Sequence, residues 1–189
     1  MNARKKKLLI IGSVVLGIIV VFVLLTTVGK PLFSKSITAE KLDDIRNVCY
    51  GNKIINASDY SSKESALIAA FYERPFGNGN PWTNFSGAGA PNMTKFGEVT
   101  KTNVVACFEH QPFAGKEIAR CEDGIKLLSA TYKTTFYEAK TGKKIAEGKE
   151  IVTDNSTCPS IFVYGKNSRE TARDPATEDM KNAIIDFID

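Results

Sequence analysis

Residues 127–152, LLSATYKTTFYEAKTGKKIAEGKEIV, read as a β-hairpin. The first arm, 127–137, is rich in Thr and aromatic residues, whose branched or flat side chains pack well on a pleated surface. Residues 138–143 form a tight connection, and Gly142 is the natural place for a positive φ. The second arm, 144–152, returns with Ile145 and Ile151 bracketing a more polar middle.

Moving outward, residues 103–108, NVVACF, read as a short central strand, and 118–121 as a brief one. Between them, 110–116 turn through Pro112 and Gly115. Residues 154–159 leave the sheet, and 161–164 form a small apolar segment. Residues 38–45 predict a helix capped by Thr38, with Leu42, Ile45 and Val48 along one face. A second helix is expected over 62–72 from Ala66, Leu67, Ala69, Ala70 and Phe71. A third is expected over 175–188, with Pro175 in its first turn. Residues 74–97 read as a long loop rich in Gly, Pro and Asn. Helices at both ends of a small, mainly antiparallel sheet make an α+β domain.

The N-terminus carries a different signal. Residues 8–29, LLIIGSVVLGIIVVFVLLTTVG, contain no charge and no proline. As a helix this run spans about 33 Å, enough for a bilayer core of about 30 Å. Arg4, Lys5, Lys6 and Lys7 precede it, which favours the cytoplasmic side for the N-terminus. The run exceeds a usual signal-peptide core and ends in no A-x-A-like site, so a retained signal-anchor is expected. The expected organisation is a basic cytoplasmic tail at 1–7, a transmembrane helix at 8–29, a tether at 30–36 and an extracytoplasmic domain at 37–189. The lipid bilayer is the partner of residues 8–29, and the localisation is a single-pass cell membrane protein.

The net charge of +4 comes from 25 Lys+Arg against 21 Asp+Glu. Four of those cations lie in the tail, so the remainder is formally neutral. A nucleic-acid partner needs an electropositive face to neutralise phosphates, and none is supplied. Cys49, Cys107, Cys121 and Cys158 all follow the anchor, which reads as two disulfides in an oxidising compartment with three possible pairings. Cys107–Cys121 as a local clip and Cys49–Cys158 as a long staple is the expected one. Four buried thiols, a metal site and a redox pair are the other readings. No C-x-x-C spacing supports the last two.

The segments VVACFEH and ARCEDG, the strand-turn YKTTFYEAKTGKKIA and the later CPS resemble a pattern in membrane-anchored or secreted proteins without an assigned activity. The resemblance covers residues 104–160 and matches at Cys107, Cys121, Thr141-Gly142-Lys143 and Cys158-Pro159. It implies paired cysteines as architecture and brings no catalytic or ligand residue.

Chemistry-bearing motifs are scarce. No P-loop, dinucleotide fingerprint or G-x-S-x-G occurs, and no cofactor is indicated. The single histidine, His110, adjoins Glu109, but neighbours on a strand face opposite ways, so a turn histidine is expected. The carboxylate pairs Asp43/Asp44, Glu122/Asp123 and Glu178/Asp179 are adjacent rather than facing and read as surface charge. Trp82 and Phe85 lie in the long loop, either pinning it to the domain or forming an aromatic binding edge. Four N-x-S/T sites occur, at Asn56, Asn84, Asn92 and Asn155, and serve glycosylation only on a eukaryotic secretory route. The resulting expectation is a membrane-tethered extracytoplasmic interaction or scaffolding domain with a protein partner. The alternatives are an enzyme with a carboxylate-based site and a thiol oxidoreductase.

Overall fold

Strand β5, Val104–His110, is buried along its first five residues and has a partner on each side. The structure is a computed structural model and describes residues 34–74, 81–86, 89–95, 98–111, 115–159 and 169–189. Lys35–Asp189 forms one unit. On one side of β5 lies β3, Ile68–Glu73, in parallel register, with Ala70 opposite Ala106 and Tyr72 opposite Phe108. On the other lies β8, Ala130–Glu138, antiparallel, with Ala106 opposite Phe136 and His110 opposite Tyr132. Strand β4, Trp82–Phe85, extends the sheet beyond β3. Strands β9, Lys144–Glu147, and β10, Ile151–Thr153, share the far side of β8.

Two smaller sheets complete the described β structure. β1, Ser36–Ile37, pairs in parallel with β2, Lys53–Ile54. β6, Glu117–Arg120, pairs antiparallel with β7, Lys126–Leu128, which in turn pairs in parallel with β11, Glu170–Ala172. Helix α1, Leu42–Ile45, runs into a 3-10 turn at Arg46–Tyr50, and helix α2, Thr177–Ile188, closes the chain.

Side chains alternate across the main sheet and so build two cores. Ile68, Ala70, Val104, Ala106, Phe108, Tyr132 and Phe136 pack beneath Met180, Ile184 and Phe187 of α2. Phe136 and Phe187 stack with ring centroids 4.1 Å apart. On the opposite face Ala69, Phe71, Val105 and Cys107 meet Ile45, Val48 and Ile54. The order is helix, sheet, N-terminal layer.

The disulfides are Cys49–Cys107 and Cys121–Cys158, not Cys107–Cys121 and Cys49–Cys158. The alternation explains it: Cys107 points to the face covered by the 3-10 turn that carries Cys49. Cys121 sits at the β6–β7 corner, in a different sheet. With sequence separations of 58 and 37, each bridge removes about 4 kcal/mol of unfolded-chain entropy on a loop-closure model.

Other expectations need correction. The helix expected over 62–72 is strand β3, because a short apolar run fits a strand buried on both faces as well as it fits a helix. The described strands fall into three sheets rather than one, and three pairings, β1–β2, β3–β5 and β7–β11, are parallel. The loop over 74–97 contains β4, and the second arm of the hairpin breaks into β9 and β10. Residues 161–164 lie outside the described residues.

The membrane expectations are corrected as well. Among the described residues no helix is long and apolar enough to cross a membrane. The longer of the two described α-helices, α2, has twelve residues, about 18 Å, and one face committed to the sheet. The bilayer partner, the signal-anchor, the single-pass topology and the tethered scaffolding role therefore have no described helix to rest on. The run 8–29 lies outside the described residues.

Gly142 has φ 68° at the hairpin turn, and an added Cβ would stand 2.8 Å from the Asn52 carbonyl oxygen. Gly142→Ala is expected to cost at least about 1–2 kcal/mol in urea unfolding, from left-handed backbone strain with the clash added. Among the described residues the buried Thr134 hydroxyl has no hydrogen-bond partner. Thr134→Val is expected to raise the unfolding free energy by about 1 kcal/mol, since it removes an uncompensated polar atom.

Candidate functional site

Strands β3 and β5 run in parallel and end together, so their carboxyl ends deliver side chains to one edge of the main sheet. The pairing of the two strands ends at Tyr72 with Phe108; Arg74 is the first residue after β3 and His110 the last of β5. Tyr132 is the registered partner of His110 on β8. Tyr72 with Arg74, and Tyr132 with His110, thus form a polar row at the edge of the core that α2 covers.

Asp174, just before α2, reaches this row from a distant part of the chain. Its Oδ2 accepts hydrogen bonds from Arg74 Nε at 2.9 Å and Nη2 at 2.6 Å. Arg74 Nη2 also donates to the Tyr72 hydroxyl at 2.8 Å, and the guanidinium lies 5.3 Å from the Tyr72 ring centroid. Tyr132, fully buried, donates its hydroxyl to the Arg173 carbonyl at 2.9 Å. That bond fixes the chain immediately before Asp174. These bonds engage Nε and Nη2 of Arg74 and leave Nη1 outside the ion pair.

His110 is half-buried and meets Tyr132 edge-on, with centroids 5.5 Å apart. No described side chain hydrogen-bonds its ring nitrogens. Burial lowers its pKa below the ordinary 6.5, so the ring is a neutral acceptor at neutral pH. Burial weakens the charged form of Arg74, but the hydrogen bonds and charge of Asp174 outweigh it and raise its pKa. Tyr72 and Tyr132 are raised by burial, with Asp174 adding to each, so both stay protonated.

Glu73 belongs to the other face, where its registered partner is Trp82. Its Oε2 accepts the His110 backbone N–H at 3.1 Å, closing the ladder where β3 stops. Burial raises its pKa, against the lowering effect of that bond, and the charge of Glu109 adds to the rise.

The residues singled out from sequence fall elsewhere, His110 excepted. Trp82 and Phe85 do not share an exposed edge: each is 6% exposed, and they join opposite cores. The four cysteines are all disulfide-bonded and none is free. Asn56 spends its side chain on the backbone of Ala39 at 2.9 Å in both directions. A recess of about 770 Å³ near Leu67, Phe85 and Met93 is lined mainly by apolar groups and amides. Its charged lining, Lys95 and Glu98, does not converge with the polar row. Among the described residues no group of three or more His, Cys, Asp and Glu is placed to hold a metal ion.

Arg74, Asp174, Tyr72 and Tyr132 carried no motif. The separation of 100 residues between Arg74 and Asp174 hides their pairing from any local reading. Comparison with protein-family models, curated proteins and solved structures finds no match.

The two shifted groups act on stability in opposite directions. His110 has a depressed folded pKa, so its contribution is present above pH 6.5 and is lost as pH falls through the folded value. Glu73 has a raised folded pKa, so its contribution is present below 4.5 and is lost as pH rises through the folded value. In urea unfolding at pH 7.5, pH 5 and pH 4, His110→Asn is expected to flatten the acid-side loss. Glu73→Gln is expected to stabilise more at pH 7.5 than at pH 4. An unchanged pH slope in either variant contradicts the corresponding assignment.

Proposed function

We propose that this domain binds a small polar substrate at the carboxyl ends of β3 and β5, and that His110 acts there as a general base. The observation that carries the reading is the polar row that joins Arg74 and Tyr72 to Tyr132 and His110, with a neutral imidazole whose ring nitrogens no described side chain engages. In this reading a water or substrate hydroxyl gives its proton to a ring nitrogen of His110. Negative charge developing on the reacting group faces the Arg74 guanidinium, whose Nη1, outside the ion pair, supplies a donor. Asp174 and the Tyr72 hydroxyl hold that guanidinium in place, and Tyr132 backs the imidazole. Asp174 is a positioning carboxylate here rather than one of a catalytic pair.

The two disulfides support folding in an oxidising compartment. They do not favour a thiol oxidoreductase as the main activity. Each joins distant elements, and neither has the C-x-x-C spacing that tunes an exchanging thiol.

The single histidine makes the test direct. The full chain is assayed with p-nitrophenyl acetate, p-nitrophenyl phosphate and p-nitrophenyl glucoside, while the His110 imidazole is followed by NMR. The expected result is turnover of one of the three substrates, with a rate rising through the depressed His110 pKa to a plateau. His110→Ala is expected to lower kcat/KM by about 100-fold, and Arg74→Gln by a similar factor. No turnover with an unmoved His110 resonance, or turnover indifferent to His110→Ala, would overturn the proposal.

A further inference from the structure

The two disulfides differ in how a reductant meets them. Cys107 is 3% exposed within the core beneath the N-terminal layer, and its partner Cys49 is partly covered. Cys121 is 9% exposed, but Cys158 is exposed, in a segment that belongs to no strand. Thiol exchange needs a sulfur that an incoming thiolate can approach, so Cys158 is the open point of attack.

The segment that Cys158 anchors is tied to the polar row. The Thr157 carbonyl accepts a hydrogen bond from Arg173 Nη1. The Arg173 backbone is a junction: its N–H donates to the Leu128 carbonyl at 3.0 Å, and its own carbonyl accepts from Tyr132 at 2.9 Å and Thr153 Oγ1 at 3.3 Å. The next residue, Asp174, holds Arg74. A continuous set of bonds therefore runs from the Cys121–Cys158 bridge through Thr157 and Arg173 to Asp174 and to the tyrosine behind His110.

We infer that Cys121–Cys158 is a reducible latch that sets the geometry of the polar row, while Cys49–Cys107 is a permanent staple. As regulation of that site, the inference rests on the functional reading above. The co-reactant is a dithiol. One of its thiolates attacks Cys158 Sγ, the S–S bond breaks, and its electron pair leaves on Cys121 Sγ, which takes a proton. The second dithiol sulfur then displaces Cys158 as a thiol. Both cysteines end reduced and the dithiol becomes a cyclic disulfide. Residues 154–159 lose their covalent tie, and the Thr157 carbonyl is released from Arg173. Asp174 and Tyr132 then lose one of the restraints that position them.

The experiment uses the full chain titrated with dithiothreitol, with differential alkylation and mass analysis to follow each pair. The His110 imidazole is observed by NMR in parallel. Cys121 and Cys158 are expected to become labelled at about tenfold lower dithiol concentration than Cys49 and Cys107. Over that first step the His110 resonance is expected to shift while the fold persists, and to return on reoxidation. The Cys121→Ser/Cys158→Ser variant is expected to show the shifted resonance without any dithiol. Simultaneous opening of both bridges, or a first step that leaves His110 unmoved in the wild type and the variant alike, would overturn the latch. Because the readout is a resonance rather than turnover, failure of the p-nitrophenyl assays leaves this result interpretable and separates the two proposals.

Discussion

Burial of β5 on both faces is the constraint from which the remaining architecture follows. A strand whose first five residues are all inside needs a hydrogen-bonding partner on each edge and a covering layer on each face. β3 and β8 satisfy the edges, while α2 and the N-terminal layer satisfy the faces. Asn103 helps to set the start of this arrangement: its side chain accepts the Leu67 N–H at 2.7 Å and donates to the Ser65 carbonyl at 3.0 Å. Those bonds align the approach to β3 with the start of β5, so the two parallel strands also end together.

The same strand links the structural and chemical features. Cys107 lies on its N-terminal-layer face and anchors that layer covalently. His110 is its last residue and lies on the other face, where burial by Tyr132 keeps the imidazole neutral. The end of a buried strand is a natural place for such a group. The backbone pairing of β5 with β8 holds it in place. Glu73 shows the complementary case, a side chain that replaces the missing ladder partner and accepts the last N–H.

Much of the β pattern was legible locally. The 103–108 run, the brief strand near 118–121, the hairpin around Gly142 and the closing helix each rest on periodicity or turn chemistry within a few residues. The helix expected over 62–72 failed where the signal is degenerate: LIAAF satisfies a buried strand and a buried helix equally, and the edges of β4 and β5 decided between them. His110 was visible as the lone histidine, but its placement in a turn was not right, because β5 continues through it. The disulfide pairing was illegible for a related reason. Four cysteines carry no label for face or sheet, and sequence proximity favoured a clip that the strand alternation forbids.

By itself, the sequence determined the composition of the β-rich domain, the left-handed turn at Gly142, the amphipathic closing helix and the presence of a single imidazole. These depend on local sterics and on which side chains avoid water. The tertiary structure decided which strands run parallel, which cysteines meet, that Trp82 and Phe85 serve opposite cores, and that Arg74 and Asp174 hold each other beside Tyr72. Those outcomes depend on contacts between residues tens to a hundred positions apart. Such contacts arise only when the sheet's two faces are filled together, and no local spacing in the chain encodes them.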